Sequence, residues 1–127
     1  MKSINLIIVT ILLYALQSCS GQVISEGLTV DDFEAKLSTL KNEQLIDVRT
    51  PEEYEQGHLQ NSALINFRLA DFKDQLSKLD KDQPVMVYCA VGGRSNKTRL
   101  MLVEMGFKEI YELEGGFNAW KQAGKDY

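Results

Sequence analysis

Cys89 lies in a segment whose residue types suit nucleophilic chemistry. The segment Tyr88–Ser95 reads YCAVGGRS, so two glycines, an arginine and a serine follow the cysteine closely. Glycines permit tight backbone curvature, and the first N–H groups of a following helix attract an anion. A thiolate at Cys89 would lie among these donors and the guanidinium of Arg94, which favour the anionic form. A buried structural cysteine beside a glycine turn is the alternative, and the spacing alone does not separate the two.

The composition is that of one acidic globular domain. The chain has 127 residues, of which 44% are hydrophobic and 25% charged, and its formal net charge is -4. This length fits a single core. Charges of both signs are interspersed, without the basic patch that nucleic-acid binding requires. We therefore expect one folded domain and no nucleic-acid partner.

The N-terminal residues have the pattern of an export signal. Lys2 precedes an apolar run of roughly a dozen residues, which is short for a membrane span of about 20. An N-terminal strand or buried helix is the weaker alternative. The segment LQSC at Leu16–Cys19 resembles the lipobox of bacterial lipoproteins, in which the cysteine is lipidated and becomes the mature N-terminus. We therefore expect a signal peptide over residues 1–18, a tether over 19–27 and a folded domain over 28–127.

Lipidation of Cys19 would leave Cys89 as a single thiol. The chain has two cysteines, so an internal disulfide would need both of them. The lipobox resemblance implies an exported protein of the bacterial cell envelope, periplasm-facing and lipid-anchored through Cys19. A lone thiol in an oxidising compartment is either buried and inert or retained for its reactivity.

Helix and strand patterns alternate along the rest of the chain. Apolar residues recur at helical spacing after Thr29, which is expected to be the N-cap of the first helix. The strand patterns are short and apolar. Such alternation predicts a mostly parallel sheet with helices on both faces, which binds ligands at the carboxyl ends of its strands. One predicted strand ends at Cys89. The predicted helices are 28–40, 51–57, 68–79, Ser95 onward and 117–124; the predicted strands are 44–50, 63–67, 81–89 and 109–113.

Three segments resemble, in order, the signatures of the rhodanese domain family. They are DVRTPEEYEQGHLQNSALIN at Asp47–Asn66, VYCAVGGRS at Val87–Ser95 and GFKEIYELEGGFNAW at Gly106–Trp120, and the resemblance covers residues 28–124. It implies a five-stranded parallel sheet and a catalytic cysteine, here Cys89, in the loop after the central strand. It also implies sulfur transfer, in which the cysteine accepts a sulfane sulfur from a donor such as thiosulfate. The persulfide then passes this sulfur to cyanide or a thiol.

The resemblance assigns the residues after Cys89 to the active-site loop. Their N–H groups are expected to stabilise the persulfide anion. Arg94 either attracts an anionic donor and orients the loop, or forms a salt bridge with an acidic residue. Ser95 is expected to be a helix cap. The predicted loop consists of Ala90, Val91, Gly92, Gly93, Arg94 and Ser95.

Other residues that match the family signatures are expected to support the architecture. Asp47 and Arg49 form the Asp-x-Arg signature and are expected to pin loops at the edge of the site through ion pairs. His58 is the only histidine, so we expect a hydrogen-bonded loop residue, no metal site and no cofactor. Packing or turn roles are expected for Tyr88, Glu114, Gly115, Gly116, Phe117 and Trp120.

The length of the loop favours sulfur over a tetrahedral oxyanion. Four residues separate Cys89 from Arg94, whereas the related cell-cycle phosphatases and arsenate reductases have one more residue there. The apolar Ala90 and Val91 follow the cysteine, where many sulfurtransferases carry a basic or polar residue. The donor is therefore expected to be a small sulfur-containing anion, a persulfide, a polysulfide or a protein. The acceptor is expected to be a thiol, such as that of an envelope redox protein.

Two other functions stay open on the sequence. The first is phosphatase or arsenate reductase chemistry at the same cysteine. The second is an envelope-anchored module that binds a redox partner, because some rhodanese-like domains are non-catalytic. The presence of Cys89 argues against a purely non-catalytic module.

Overall fold

The fold is built on one sheet of five parallel strands. The computed structural model describes residues 21–127, so the predicted signal peptide and Cys19 lie outside the described residues. The strand order is β1-β5-β4-β2-β3, and every neighbouring pair is parallel. β4 is thus the central strand. The strands are β1 at Ile24–Leu28, β2 at Gln44–Asp47, β3 at Ala63–Leu64, β4 at Val85–Tyr88 and β5 at Glu109–Leu113.

Helices cover both faces of this sheet, as the sequence predicts. They are α1 at Val30–Thr39, α2 at Pro51–Glu55, α3 at Phe72–Ser77, α4 at Gly93–Glu104 and α5 at Gly116–Gln122. Within residues 21–127, no helix combines the length and the apolarity that a bilayer crossing needs.

The alternation of side chains along β4 divides the core into two layers. Val85 and Val87 belong to a cluster with buried side chains of α3 and α4. Met86 and Tyr88 belong to a second cluster with Phe33 of α1 and the buried aromatic residues of α5. Successive strand residues point to opposite faces, and here both faces are covered, so β4 is apolar throughout. The prediction of a five-stranded parallel sheet between two helical layers is confirmed.

Local capping explains where two of the helices begin. The Thr29 side chain accepts a hydrogen bond from the Asp32 N–H at the start of α1. At α2, Thr50 and Glu53 form a reciprocal capping box, and Pro51 occupies the first turn. These contacts satisfy N–H groups that have no acceptor within the helix. The capping box also fixes the position of Glu53, which accepts hydrogen bonds from Arg94.

The first strand corrects the predicted tether. The sequence predicts a tether over 19–27, whereas residues 24–27 belong to β1 and pair with β5. β1 lies at the edge of the sheet, and most of its side chains are exposed. Backbone pairing with a strand more than eighty residues away therefore forms β1, and this pairing leaves no hydrophobic pattern in the local sequence.

The third helix is shorter than predicted. The pattern over residues 68–79 predicts one helix with Leu69 on its apolar face. The structure has a turn before α3, and Leu69 is 50% exposed, whereas Phe72 and Leu76 are buried. The Phe72 N–H donates to the Leu69 carbonyl in that turn. A short apolar spacing can therefore span a turn as well as a helix, since Phe72, Leu76 and Leu79 pack on the core without Leu69.

Candidate active site

The segment after β4 forms a tight loop that leads into α4. β4 ends at Tyr88, Cys89 follows, and α4 begins at Gly93. Gly92 is the N-cap and has a φ of 108°, in the left-handed region that favours glycine. The predicted helix start at Ser95 is therefore two residues late, because the turn at Gly92 needs fewer residues than the pattern indicates. The loop ends directly at the N-terminus of a twelve-residue helix.

The Cys89 thiol lies under this loop. The residue is 1% exposed. Its Sγ accepts a hydrogen bond from the Gly92 N–H at 3.1 Å and lies 3.3 Å from Ser95 Oγ. The N-terminus of α4 adds a positive partial charge beside the sulfur. This environment stabilises negative charge on the sulfur.

The other small residues of the loop differ in exposure. Val91 is 67% exposed. Ala90 is half-buried, and its carbonyl accepts from the Asn118 N–H of α5 at 3.0 Å. The Cys89 carbonyl accepts from the Phe117 N–H at 2.8 Å. Because α5 holds both carbonyls and a trans peptide group has its N–H opposite its C=O, the N–H groups of these two peptide units point away from α5.

Ser95 does not cap the helix as predicted. It is the third residue of α4, and Gly92 occupies the N-cap position. The Ser95 hydroxyl lies 2.5 Å from Glu112 Oε1 and 3.2 Å from the Gly92 carbonyl oxygen. The early helix start explains the difference, because it moves Ser95 into the first turn, where its side chain faces β5. Ser95 therefore connects the cysteine to a buried carboxyl group.

Glu112 is a residue of the site that the sequence pattern did not predict. This residue lies on β5 and is 4% exposed. Burial raises the pKa of its carboxyl group, and the Ser95 hydrogen bond opposes that shift. The available signal was a glutamate within a strand whose other residues are mostly apolar, because such a residue is buried along with the strand.

Arg94 forms a salt bridge, which is one of the two roles predicted for it. Its two terminal nitrogens each donate to a different oxygen of Glu53, both at 2.8 Å. The hydrogen bonds from Arg94 lower the pKa of Glu53 to about 2, while partial burial opposes the shift. This bidentate pair ties the first turn of α4 to α2.

Replacement of Glu53 by glutamine is expected to lower the free energy of unfolding by about 1 kcal/mol at neutral pH. The depressed pKa of Glu53 gives stability that is fully present above its ordinary value of 4.5 and is lost as the pH falls toward 2. The unfolding free energies of wild type and Glu53→Gln, measured in urea between pH 7 and pH 2, should therefore converge at the acidic end.

Glu52→Gln is the matched control for this pair. Glu52 lies in the same helical turn, so its replacement by glutamine removes the same charge from the N-terminus of α2. Its replacement should give a smaller loss at pH 7, because Glu52 contributes its charge at the helix terminus. An equal loss in both variants would assign the effect to the helix terminus and contradict a role for the Arg94 bridge.

Asp47 and Arg49 form a buried ion pair at the end of β2. Arg49 Nη2 lies 2.7 Å from Asp47 Oδ2 and also donates to the Gly57 carbonyl at 2.7 Å. The guanidinium lies over the ring of Phe117, 4.3 Å from its centroid. Arg49 therefore connects three parts of the fold, namely β2, α5 and the segment that follows α2. This is the role expected for a residue that pins loops at the edge of the site.

A cavity of about 310 Å³ opens beside the cysteine loop. Ala90 is the loop residue that lines it, next to the buried Cys89. Two of the charged residues at this cavity are already paired, while Lys121 is exposed and lies 5.1 Å from the centroid of the Phe117 ring. Lys121 and Asn118 were not predicted, because their α5 pattern resembles any polar helix face. The lining residues are Arg49, Glu53, Gln56, Ala90, Phe117, Asn118 and Lys121.

The remaining residues of the family signatures have packing roles. His58 stacks on the Tyr54 ring at 3.6 Å, and its Nδ1 lies 2.9 Å from the Tyr54 carbonyl oxygen. The Tyr88 hydroxyl accepts from the Leu59 N–H at 3.0 Å. Trp120 packs in the core layer of α1 and α5. Among residues 21–127, no three acidic, histidine or cysteine side chains are grouped as a metal would require.

Known proteins share both the sequence pattern and the fold. Residues 29–123 match the sequence profile of the family described as "Rhodanese-like domain". The chain is 42% identical over 77 residues to the thiosulfate sulfurtransferase GlpE of Coxiella burnetii, which spans 61% of this chain and 70% of that protein. It is 37% identical over 90 residues to the GlpE of Pseudoalteromonas translucida, at 68% and 83% coverage. A rhodanese-related protein from Thermoplasma volcanium has a similar crystal structure, with a TM-score of 0.70, 26% identity, and 80% and 95% coverage.

Proposed function

The chain belongs to the rhodanese-like domain family, and from this membership we propose that it is a sulfurtransferase that carries sulfane sulfur as a persulfide on Cys89. The observation that carries the proposal is the position of the Cys89 sulfur. It accepts the Gly92 N–H at 3.1 Å, beneath the N-terminus of α4. A sulfur nucleophile and its anionic persulfide are both stabilised by such donors.

The first half of the reaction loads the cysteine. The Cys89 thiolate attacks the outer sulfur of thiosulfate and forms a new sulfur–sulfur bond. The original sulfur–sulfur bond of thiosulfate breaks, and sulfite leaves with its electron pair. The outer sulfur of the resulting persulfide carries the negative charge, and the N–H groups at the start of α4 are the donors placed to stabilise it.

The second half of the reaction unloads the cysteine. An acceptor thiolate or cyanide attacks the outer sulfur of the persulfide and forms a bond to it. The bond between the two persulfide sulfurs breaks, and Cys89 leaves as a thiolate with the electron pair. No net oxidation occurs over the cycle, so the reaction needs no cofactor.

The dimensions of the loop favour sulfur over phosphate or arsenate. Four residues separate Cys89 from Arg94, and the Gly92 N–H is already within hydrogen-bond distance of Sγ. Arg94 is also engaged by both oxygens of Glu53 rather than free to chelate an oxyanion. A tetrahedral oxyanion needs several converging donors and more room than this contact leaves.

The surface of the loop favours a persulfide or polysulfide donor beside thiosulfate. The exposed residue next to the buried cysteine is the apolar Val91, and Ala90 faces the adjacent cavity. Lys121 supplies a positive charge at the same cavity. The small apolar Ala90 and Val91 beside an exposed lysine suit a donor with anionic sulfur, including the persulfide of a partner protein.

Intact mass spectrometry of the reduced full-length protein tests the persulfide. After exposure to thiosulfate, and separately to polysulfide, we expect a gain of one sulfur, about 32 Da, that disappears on addition of cyanide or a thiol. Cys89→Ser should not show the gain, while Cys19→Ser should keep it. No gain with either donor would reject sulfur transfer and favour the binding module or oxyanion chemistry.

We further propose that the protein is exported and tethered to the envelope membrane through lipidated Cys19. The support is the Lys2-led apolar run and the segment LQSC at Leu16–Cys19. Two acyl chains would give a stable anchor, since each buried methylene contributes about 0.8 kcal/mol. The same mass measurement, made on protein extracted from membranes, should give a chain that begins at acylated Cys19. A retained Met1 would contradict the anchor.

A further inference from the structure

Three polar groups form a continuous chain from the nucleophile into the sheet. Cys89 Sγ lies 3.3 Å from Ser95 Oγ, and Ser95 Oγ lies 2.5 Å from Glu112 Oε1. All three residues are buried, with exposures of 1%, 0% and 4%. A buried carboxyl group so close to a buried thiol is not required by sheet packing, since an apolar residue would serve β5 equally well.

The protons on these three groups set the direction of the hydrogen bonds between them. Ser95 has one hydroxyl proton, and when Glu112 is ionised this hydroxyl donates to Glu112 Oε1 across the 2.5 Å contact. With its proton on that bond, the Ser95 oxygen can only accept from the Cys89 thiol. The donors therefore run from thiol to hydroxyl to carboxylate, and the group that ends the chain is Glu112.

Two charged groups act on Glu112. Arg99 on α4 favours the ionised carboxylate, whereas Glu114 in the turn after β5 disfavours it. The register neighbours of Glu112 are uncharged, Val87 on β4 and Gly27 on β1. Burial is the largest influence and raises the pKa of Glu112. Glu112 is thus able to hold a proton closer to neutral pH than an exposed glutamate.

We propose that Glu112 is a positioning residue that shares one proton with Cys89 through the hydroxyl of Ser95. This inference rests on the proposed function, since it assigns the fate of the proton that Cys89 loses before it attacks sulfur. The S–H bond breaks, and its proton goes to Ser95 Oγ. The former Ser95 proton goes to Glu112 Oε1, so one proton is moved and no oxidant or reductant takes part.

The shared proton has two consequences for the site. Ionised Glu112 opposes the donors of the loop, because the Ser95 hydroxyl then points toward the carboxylate and a second buried anion beside the first is unfavourable. When Glu112 is protonated, the hydrogen bonds run in the opposite direction, because its O–H donates to Ser95 and the Ser95 hydroxyl can donate to sulfur. The attacking thiolate therefore forms beside a neutral carboxyl group.

The rate of Cys89 alkylation by iodoacetamide, measured against pH on the full-length protein, tests the coupling. The tryptic peptide 82–94 contains Cys89 and not Cys19, so its mass reports this thiol. The wild-type rate should rise in two steps separated by a flat region, as expected for coupled groups. Glu112→Gln should show a single step, and its rate near pH 7 should be roughly tenfold higher because the competing anion is gone.

Glu114→Gln is the matched control, since it removes an acidic charge two residues away without contact to Ser95. It should keep both steps. Superimposable profiles for wild type and Glu112→Gln would overturn the proposal. If Glu112→Gln does not fold, Ser95→Ala replaces it: this variant keeps the carboxylate and removes the hydroxyl, so the two steps should move closer together, and an unchanged separation would overturn the proposal.

The alkylation profile is independent of sulfur transfer. Iodoacetamide reports ionisation of the thiol and needs no sulfur donor. A protein that shows the two-step profile and gains no sulfur would lose the proposed function and keep the Glu112 coupling. A protein that gains sulfur and shows no effect of Glu112→Gln would keep the function and lose the coupling.

Discussion

Replacement of Cys89 by serine is expected to lower the rate of sulfur transfer from thiosulfate or polysulfide to cyanide by about 10³-fold or more. A serine hydroxyl does not form a persulfide, so the covalent half-reactions are lost. The fold should persist, because serine is slightly smaller than cysteine and its oxygen can accept the Gly92 N–H that Sγ accepts at 3.1 Å. The measurement is the rate of thiocyanate formation at saturating donor, with the unfolding transition of each protein recorded beside it.

Cys19→Ser is the control for this experiment. It removes the other thiol of the chain and should leave the transfer rate unchanged in detergent solution. Transfer at the wild-type rate by Cys89→Ser would contradict covalent catalysis at Cys89. A loss in Cys89→Ser together with wild-type binding of a sulfur-containing donor would assign to Cys89 the chemical step rather than capture of the donor.

Replacement of Gly116 by alanine is expected to lower the free energy of unfolding by about 3 kcal/mol or more and to lower the transfer rate as well. Gly116 has a φ of 63°, and a Cβ there would lie 2.5 Å from the Cys89 carbonyl oxygen and 2.6 Å from the Ala90 carbonyl carbon and oxygen. These backbone atoms are held by α5 and belong to the loop of the nucleophile. Relief of the clash must therefore displace the loop. Urea unfolding and the transfer assay measure the two effects.

Gly124→Ala separates the clash from the backbone strain. Gly124 also has a positive φ, 69°, and a Cβ there would have open space around it. Its replacement should cost only the left-handed penalty, about 1 kcal/mol, and leave the transfer rate unchanged. Equal losses in Gly116→Ala and Gly124→Ala would show that contact with the cysteine loop contributes little, contrary to our expectation.

The sequence predicts the fold well because the signals for most elements are local. The apolar run that forms β4 is followed directly by Cys89, so the position of Cys89 at the end of the central strand follows from adjacent residues. The capping residues Thr29 and Thr50 mark helix starts in the same way. Elements held by distant pairing are less visible. β1 forms through backbone bonds to β5, and its exposed side chains give no pattern to detect.

Ser95 shows how the sequence can predict that a residue belongs to the cysteine loop and still predict the wrong role for it. A serine at the start of a helix predicts an N-cap, and that rule depends on where the helix begins. The left-handed turn at Gly92 starts α4 at Gly93, and the side chain of Ser95 then faces Glu112 instead of the helix terminus. A shift of two residues thus converts a capping residue into a link between two buried groups.

By itself, the sequence determines the class of the fold and the position of Cys89 between a buried strand and a glycine turn that leads into a helix, because neighbouring residues encode each of these. Only the tertiary structure decides which distant groups meet at the sulfur. Arg94 pairs with Glu53, 41 residues earlier, and Ser95 bonds to Glu112, 17 residues later. The physical reason is that parallel strands place their carboxyl ends at one edge of the sheet, where side chains from separate segments come into contact.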